Sequence, residues 1–320
     1  MTTLWDTNSG QVVQALTAER RAAGAVASGL VLTLVAVVDE RSVPIAFEAA
    51  TAASMTHPCR LLTVVRRQPD AHEPRLDAEV TVGGHLGPGE SVVLRMYGRL
   101  ANHAESVVLP LLASDTPVVT WWYGEPPQRS GLDPLGALAS RRITDAAAAD
   151  DPLDALRQRA LDYEPGDTDL VWTRLTSWRA LIASAFDTVS LSPSRVVVGS
   201  AQDGIASAWL LAAWLGSRLG VPAQVIPTRG PAISEVTIEL EGSKLRIDRP
   251  DGRSATLVRP NQPDRQLPLP IRDLGELLAE ELRRLDPDEP YADALSAFAS
   301  GAVSLGPIAA ADPVEEPSAV

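Results

Sequence analysis

Apolar positions in the first part of the chain fall into blocks of different period. Gln11 to Arg21 reads as a short polar helix, and Gly29 to Val38 as a nearly continuous aliphatic run. Such a run suits a central strand covered on both faces. The alanine-rich stretch Val43 to Met55 predicts a helix and Arg60 to Val65 a second buried strand. Together these make a βαβ unit. Arg75 to Val82 and Ser91 to Tyr97 instead alternate apolar and polar residues around the turn-rich Gly83–Gly89, the pattern of an antiparallel hairpin. A helix is expected over Ala101 to Leu112, with Asn102 capping it and Glu105 completing a capping box beside His103. Pro117 to Trp122 and Arg141 to Asp145 read as further strands.

A break is expected between Asp150 and Asp169, where Asp150-Asp151-Pro152 starts a helix and Glu164-Pro-Gly-Asp167 interrupts the chain. Beyond it the pattern gives helix Thr176 to Phe186, strand Arg195 to Gly199 and helix Asp203 to Leu219, the last with Ile205, Trp209, Ala212 and Leu215 on one face. Strands follow at Gln224 to Ile226, Glu235 to Glu241, Lys244 to Arg249 and Ala255 to Arg259, then a proline-rich connector, Gln262 to Pro270. Ile271 to Arg284 is strongly amphipathic, with Leu274, Leu277, Leu278 and Leu282 inward, and Pro290 to Gly301 reads as another helix. The expected fold is therefore α/β in two domains. Residues 1–150 would hold a mixed sheet with the βαβ unit and the hairpin, and 151–305 a second α/β or α+β domain. Residues 306–320 would form a disordered acidic tail.

Composition narrows the function. Acidic residues number 41 and basic ones 28, a net charge of −13, which disfavours nucleic acid and anionic membranes as partners. The apolar run from Ala25 to Val38 is too short for a membrane span and lacks the flanks of a signal peptide, so a cytoplasmic location is expected. A single cysteine, Cys59, rules out an internal disulfide and any cysteine-rich metal site, and the four histidines are dispersed.

Candidate chemistry is sparse. Gly199-Ser-Ala-Gln-Asp-Gly204 joins a strand to a helix, and Gly199, Ser200 and Gly204 are weak candidates for an anion site, although the third glycine of a dinucleotide motif and the lysine of a P-loop are missing. That turn would serve an alternative reading, an enzyme binding a sugar phosphate or other phosphate ligand on an open α/β sheet. The first βα turn, Val38-Asp-Glu-Arg41, puts acids where a dinucleotide's pyrophosphate would lie. Cys59 next to His57, and Asp39-Glu40 or Asp150-Asp151, read as structural or solvated groups rather than catalytic sets, and no catalytic, cofactor or metal residue is assigned. Seven tryptophans remain to be placed. Trp172, Arg174, Trp178 and Arg179 gather the residue types enriched at interface hot spots, and Trp121 or Trp122 joins them as a contact candidate; burial as core filler is the competing reading.

Several stretches taken together resemble one family. These are His57-Pro-Cys-Arg-Leu-Leu62, His103-Ala-Glu-Ser-Val-Val-Leu-Pro-Leu-Leu112, Pro117-Val-Val-Thr-Trp-Trp122, Asp169-Leu-Val-Trp-Thr-Arg-Leu-Thr-Ser-Trp-Arg179 and Ala213-Trp-Leu-Gly-Ser-Arg-Leu-Gly220. In order and spacing the chain resembles the OpcA family, the glucose-6-phosphate dehydrogenase assembly proteins of actinobacteria and cyanobacteria, and its composition suits the actinobacterial type. The resemblance implies N- and C-terminal OpcA modules and a non-catalytic cytoplasmic partner. That partner would bind glucose-6-phosphate dehydrogenase, promote its active oligomer as an allosteric activator and support NADPH production in the oxidative pentose phosphate pathway. The dehydrogenase, not this subunit, would hold NADP. In thiol-based redox control, linked with cyanobacterial members, the one thiol of this chain cannot form an intramolecular switch, which leaves only a mixed or intermolecular disulfide.

Overall fold

A computed structural model describes residues 1–24, 29–83, 89–187 and 191–306. The expected hairpin tip at residues 84–88 and the expected disordered tail at 307–320 lie outside the described residues. Packing divides the chain into one unit of residues 1–174 with 272–292, and a second of 175–271 with 293 onward. The boundary expected at 150/151 thus falls inside the first unit, because the helix and strand that follow it extend the same sheet. The amphipathic helix expected at Ile271 to Arg284 also returns to that unit.

The first unit is built on strands β1 (Thr2–Leu4), β2 (Leu32–Val38), β3 (Cys59–Arg66), β4 (Arg75–Val82), β5 (Glu90–Tyr97), β6 (Val118–Trp122), β7 (Arg141–Thr144) and β8 (Asp167–Asp169). They form one sheet in the order β1-β4-β5-β3-β2-β6-β7-β8. From β5 to β8 every neighbouring pair is parallel, while β4 runs antiparallel to both β5 and β1. The hairpin and the βαβ unit are therefore both present. Strand order reverses beside β2, with β3 and β5 on one side and β6 to β8 on the other, which leaves a crevice outside the carboxyl ends of the strands.

β2 shows why its sequence is apolar throughout. Leu32, Leu34, Ala36 and Val38 enter one core and Val35 and Val37 the other, so both faces are covered. The first core is closed by helices Val43–Ser54 and Leu274–Arg283, each fully buried leucine contributing about 1.5–3 kcal/mol. These two helices approach closely enough to need a glycine: a Cβ on Gly275 would lie 2.7 Å from the Ala52 Cβ. Asp273 and Glu276 cap the second helix reciprocally, each bonding the other's backbone. The second core is closed by helix Ser9–Ala22 and the segment after β5. That segment is not the single helix expected. It breaks into Arg99–Asn102, Ala104–Val108 and a 3-10 turn at Leu109–Leu111. His103, at φ −121° and ψ 45°, interrupts the helical backbone, and Pro110 can donate no hydrogen bond. The expected capping box does not form: no side chain caps either helix, and Glu105 lies 3.6 Å from His103 Nδ1.

The second unit opens with helix Thr176–Phe186 and carries strands β9 (Pro193–Ser200), β10 (Ala223–Pro227), β11 (Ile233–Leu240), β12 (Ser243–Asp248), β13 (Ser254–Val258), β14 (Arg265–Pro268) and β15 (Val303–Leu305). Their order is β14-β13-β12-β11-β9-β10-β15. β10 is parallel to β9 and β15; the other pairs are antiparallel. β14 lies in the expected proline-rich connector, at the sheet edge, where Pro268 leaves no central ladder bond unmade. Helix Ile205–Leu219 packs on one face of this sheet and ends at Gly220, whose φ of 66° closes the helix through a bond to Gly216. Its buried surface is wider than the expected stripe. Ala206, Ala208, Leu210, Leu211 and Ala213 are buried with Ala212 and Leu215, whereas Ile205 and Trp209 are half-buried.

Candidate functional site

The carboxyl ends of β6, β7 and β8 carry a concentration of buried charge. Asp169, at the end of β8, has no exposed surface. Its carboxylate accepts from Thr144 Oγ1 at 2.6 Å and from the backbone N–H groups of Ala146 and Val171 at 2.9 Å. Burial, and next the neighbouring Asp145, raise its pKa above the ordinary aspartate value. Asp145 is itself held by both Nη atoms of Arg174 at 2.7 Å, a bidentate pair. Next to them, Arg159 donates to Ser130 Oγ at 2.6 Å and to the carbonyls of Pro127 and Gln128. Asp162 lies 3.2 Å from Arg159, yet burial pushes its pKa up to about 6. Arg142 pairs with Asp167.

A second strand of the network reaches the returning C-terminal segment. Arg141 bonds Glu281 at 2.5 Å through Nη2 and the Asp286 carbonyl at 2.8 Å. The other Glu281 oxygen accepts from Thr173 Oγ1 at 2.6 Å. Trp172 Nε1 donates to Asp288 at 2.9 Å, and its ring packs against that of Tyr291 with centroids 6.0 Å apart. Burial, then Asp169 and Asp167, raise the Tyr291 pKa well above the usual tyrosine value.

A cavity of about 490 Å³ opens beside this network, lined among others by Glu125, Asp145, Asp150, Asp151, Asp154 and Asp169. Its buried carboxylates are already engaged: Asp169 by amides, Asp145 by Arg174, while Asp151 caps helix Pro152–Asp162. The acidic lining repels phosphate, and the hydroxyl of Thr144 that meets the Asp169 carboxylate there is buried with it. Among the described residues no group of three or more His, Cys, Asp or Glu side chains could hold a metal ion. The arrangement fixes the sheet to its surrounding segments.

Of the expected contact residues, the four tryptophans lie in the interior. Trp121, Trp122, Trp172 and Trp178 are at most 3% exposed, so none of the four presents a docking face. Trp121 lies in the first core, its ring edge-on to Tyr123 with centroids 5.6 Å apart, and Trp122 packs against Gly136. The Arg249 guanidinium sits 5.0 Å above the Trp178 ring, and burial lowers the Arg249 pKa. The physical reason is composition: with aromatics at 4% of the chain, the large rings are spent on filling interior volume. Arg174 is committed to Asp145, and Arg179 is half-buried and donates to Thr176 Oγ1 at 3.1 Å. The break between Arg174 and Leu175 also divides the expected cluster between two units.

The turn from Gly199 to Gly204, where a weak anion site was expected, is closely packed. A Cβ on Gly199 would meet Glu235 Cγ at 2.4 Å, and one on Gly204 would meet the Ala232 backbone at 2.6 Å. Ser200 Oγ donates to the carbonyls of Ala201 and Ala232 at 2.9 Å, and Asp203 accepts from the Ala232 N–H at 3.0 Å. The glycines make room for neighbouring side chain and backbone, and the carboxylates of Glu235 and Asp203 stand beside the turn. At the first βα turn, Asp39 accepts from the Ser42 N–H at 2.7 Å, which places a carboxylate at the helix N-terminus. Cys59 is buried, and burial pushes its thiol up to about 12, so no thiolate forms at neutral pH.

Asp145, Asp169, Arg141, Glu281 and Tyr291, which tie the first unit together, were not singled out by the sequence. They lie far apart along the chain, and acids at strand ends look like solvated loop charges until the sheet brings them together.

Comparison with known proteins gives two adjoining matches. Residues 50–161 match the OpcA assembly family described as glucose-6-phosphate dehydrogenase subunit N-terminal domain, and residues 165–295 match the corresponding C-terminal domain family. Two curated relatives carry the name OxPP cycle protein OpcA. The one from Synechococcus elongatus is 30% identical over 139 residues, 41% of this chain and 31% of the relative. The one from Nostoc punctiforme is 34% identical over 118 residues, 34% of this chain and 25% of the relative. The aligned part thus spans a third or less of either relative's length. Among solved structures, an oxidoreductase from Sinorhizobium meliloti is similar at 11% identity and a TM-score of 0.44, over 85% of this chain and 87% of that one.

Proposed function

Because this chain belongs to the OpcA family, we propose that it is a non-catalytic subunit of glucose-6-phosphate dehydrogenase. In this reading it binds the dehydrogenase, favours its active oligomer and so supports the supply of NADPH by the oxidative pentose phosphate pathway in the cytoplasm. The observation that carries the reading is the pair of adjoining matches, whose descriptions name the N- and C-terminal domains of a dehydrogenase subunit. The structure supports it by the way its polar residues are used. The buried charges near the carboxyl ends of β6 to β8 bond one another or the backbone, and the turn at Gly199 is filled by Glu235 and Ala232. No helix among the described residues is long and apolar enough to cross a membrane.

Activation by binding needs a difference in affinity between two states of the dehydrogenase. A tenfold shift toward the active state requires about 1.4 kcal/mol of tighter binding to it. Co-elution of the purified chain with purified glucose-6-phosphate dehydrogenase on size exclusion tests the association. A shared peak at micromolar concentration is expected; two separate peaks at that concentration would count against the reading. Calorimetry with glucose 6-phosphate and with NADP tests the alternative of a phosphate-binding enzyme, for which the filled Gly199 turn predicts no heat of binding.

A further inference from the structure

Among the described residues, helix Ile205–Leu219 packs on one face of the sheet of the second unit. Val196, Val198, Val236, Ile238, Leu245, Ile247 and Leu257 are buried on the side of helix Ile205–Leu219. The alternate residues of the same strands point the other way. Side chains there keep solvent contact: Arg195 is 45% and Glu239 47% exposed, Lys244 is exposed, and Val197, Thr237, Arg246 and Val258 are half-buried.

Register arranges this face in three rows. One runs Arg195, Glu239, Lys244 across β9, β11 and β12. The middle row runs Gln224, Val197, Thr237, Arg246, Val258 across β10, β9, β11, β12 and β13. The third runs Ile226, Gly199, Glu235, Asp248, Thr256 across the same five strands. On β9, β11 and β12 the face carries Arg195, Lys244 and Arg246 against Glu235, Glu239 and Asp248, which is zero net charge. The whole chain carries −13. Two copies of so acidic a chain repel one another over most of their surface, and least where the local charge vanishes.

We propose that this open face is a self-association surface that takes a second copy of the chain, related by a two-fold axis running along the strands between β9 and β11. That axis keeps each residue in its row and exchanges β9 with β11 and β10 with β12. Arg195 of one copy then faces Glu239 of the other, and the reverse, giving two symmetric ion pairs. Gln224 faces Arg246, Val197 faces Thr237 at the centre, and Glu235 faces the bare backbone of Gly199. No two like charges on these strands stand opposite each other. Such a self-complementary patch is what an isologous dimer requires, and two sheets packed this way cross at about 30°. The five strands of these rows, about 4.8 Å apart and about five residues long, offer roughly 400 Å² per copy. That is below the ~800 Å² per partner of a standard stable interface, so the dimer is a weak one that forms in the micromolar range.

Sedimentation velocity on the full chain from about 1 to 500 μM, without any partner, is the test. The weight-average mass is expected to rise toward twice the monomer, and a mass that stays monomeric throughout overturns the proposal. R195E and E239R each place like charges across the axis, and each is expected to weaken the dimer at least tenfold. Arg195 and Glu239 also lie 3.9 Å apart across β9 and β11 within one copy, so each variant sets like charges side by side in its own sheet, and its melting curve is recorded beside its mass. Both side chains are about half exposed, so a melting temperature within a few degrees of the parent is expected. An equimolar mixture of the two restores facing opposite charges and is expected to dimerise where either alone does not. A mixture that stays monomeric, or single variants that dimerise as the parent does, refutes this face as the contact. If the parent is monomeric and the face gains hydrogen-exchange protection only on adding glucose-6-phosphate dehydrogenase, the occupant is the dehydrogenase and the second copy is excluded. The outcome is independent of whether the chain binds that enzyme.

Discussion

Replacing Glu281 by glutamine probes the bond that holds the returning segment 272–292 to the first sheet. Arg141 and Glu281 have side chains only 4% and 6% exposed, so neither charge is solvated once the other is lost. E281Q keeps a carbonyl oxygen for Thr173 Oγ1 and nearly the same volume, and it replaces the charged acceptor oxygen opposite Arg141 with an NH2 group, a donor facing a donor. Breaking a buried pair by removing one partner typically costs about 3–5 kcal/mol, because the remaining charge stays buried. Arg141 retains the Asp286 carbonyl, which places the expected loss near the lower end, about 3 kcal/mol. At about 2–4 °C per kcal/mol for a domain of this size, the melting temperature should fall by roughly 6–12 °C. Urea denaturation followed by tryptophan fluorescence reads the same quantity, since Trp172 lies in this region. The double change R141M/E281M replaces both charges with apolar groups and should recover most of the loss. A loss below about 1 kcal/mol in E281Q would refute the view that this pair is desolvated and anchors the segment.

Other perturbations test separate parts of the account. Trp172→Ala should cost about 3–5 kcal/mol in stability, as expected for a large ring removed from a packed interior; a native melting curve would mean the ring is not core. Asp162 has a folded pKa of about 6 against an ordinary value of ~3.9, so the folded state holds more protons between those values and stability falls as pH rises through that window. The difference in unfolding free energy between the parent chain and Asp162→Asn should therefore decline from pH 4 to pH 6 and be flat above; a difference that grows over that range contradicts a raised pKa. Iodoacetamide at pH 8 should leave Cys59 unmodified in the native chain and label it in urea, and rapid native labelling would show an accessible thiolate.

How much of this was legible in the sequence depended on the range of the interactions involved. β2, β3 and the hairpin strands announce themselves because burial on both faces, or on one, leaves a continuous or alternating apolar pattern. Helix Thr176–Phe186 has the limits its pattern implies. Short edge elements left no such mark: β8 is three residues of Asp-Thr-Asp, and its identity comes from pairing with β7. The return of Leu274–Arg283 to the first unit was invisible for the same reason. Its leucine stripe shows that it is amphipathic, but not that its partner is the alanine-rich helix Val43–Ser54. The tryptophans were ambiguous in principle, since Trp and Arg serve interiors and interfaces alike. Only the packed positions of Trp121, Trp122, Trp172 and Trp178 decide for the interior.

The central claim is that the chain acts through glucose-6-phosphate dehydrogenase and not on a substrate of its own. The direct measurement is the rate of NADPH formation by a fixed amount of that dehydrogenase as the purified chain is titrated in. The account predicts a saturable rise with dehydrogenase present and no turnover by the chain alone. A flat titration through micromolar concentrations, or conversion of glucose 6-phosphate by the isolated chain, would contradict it.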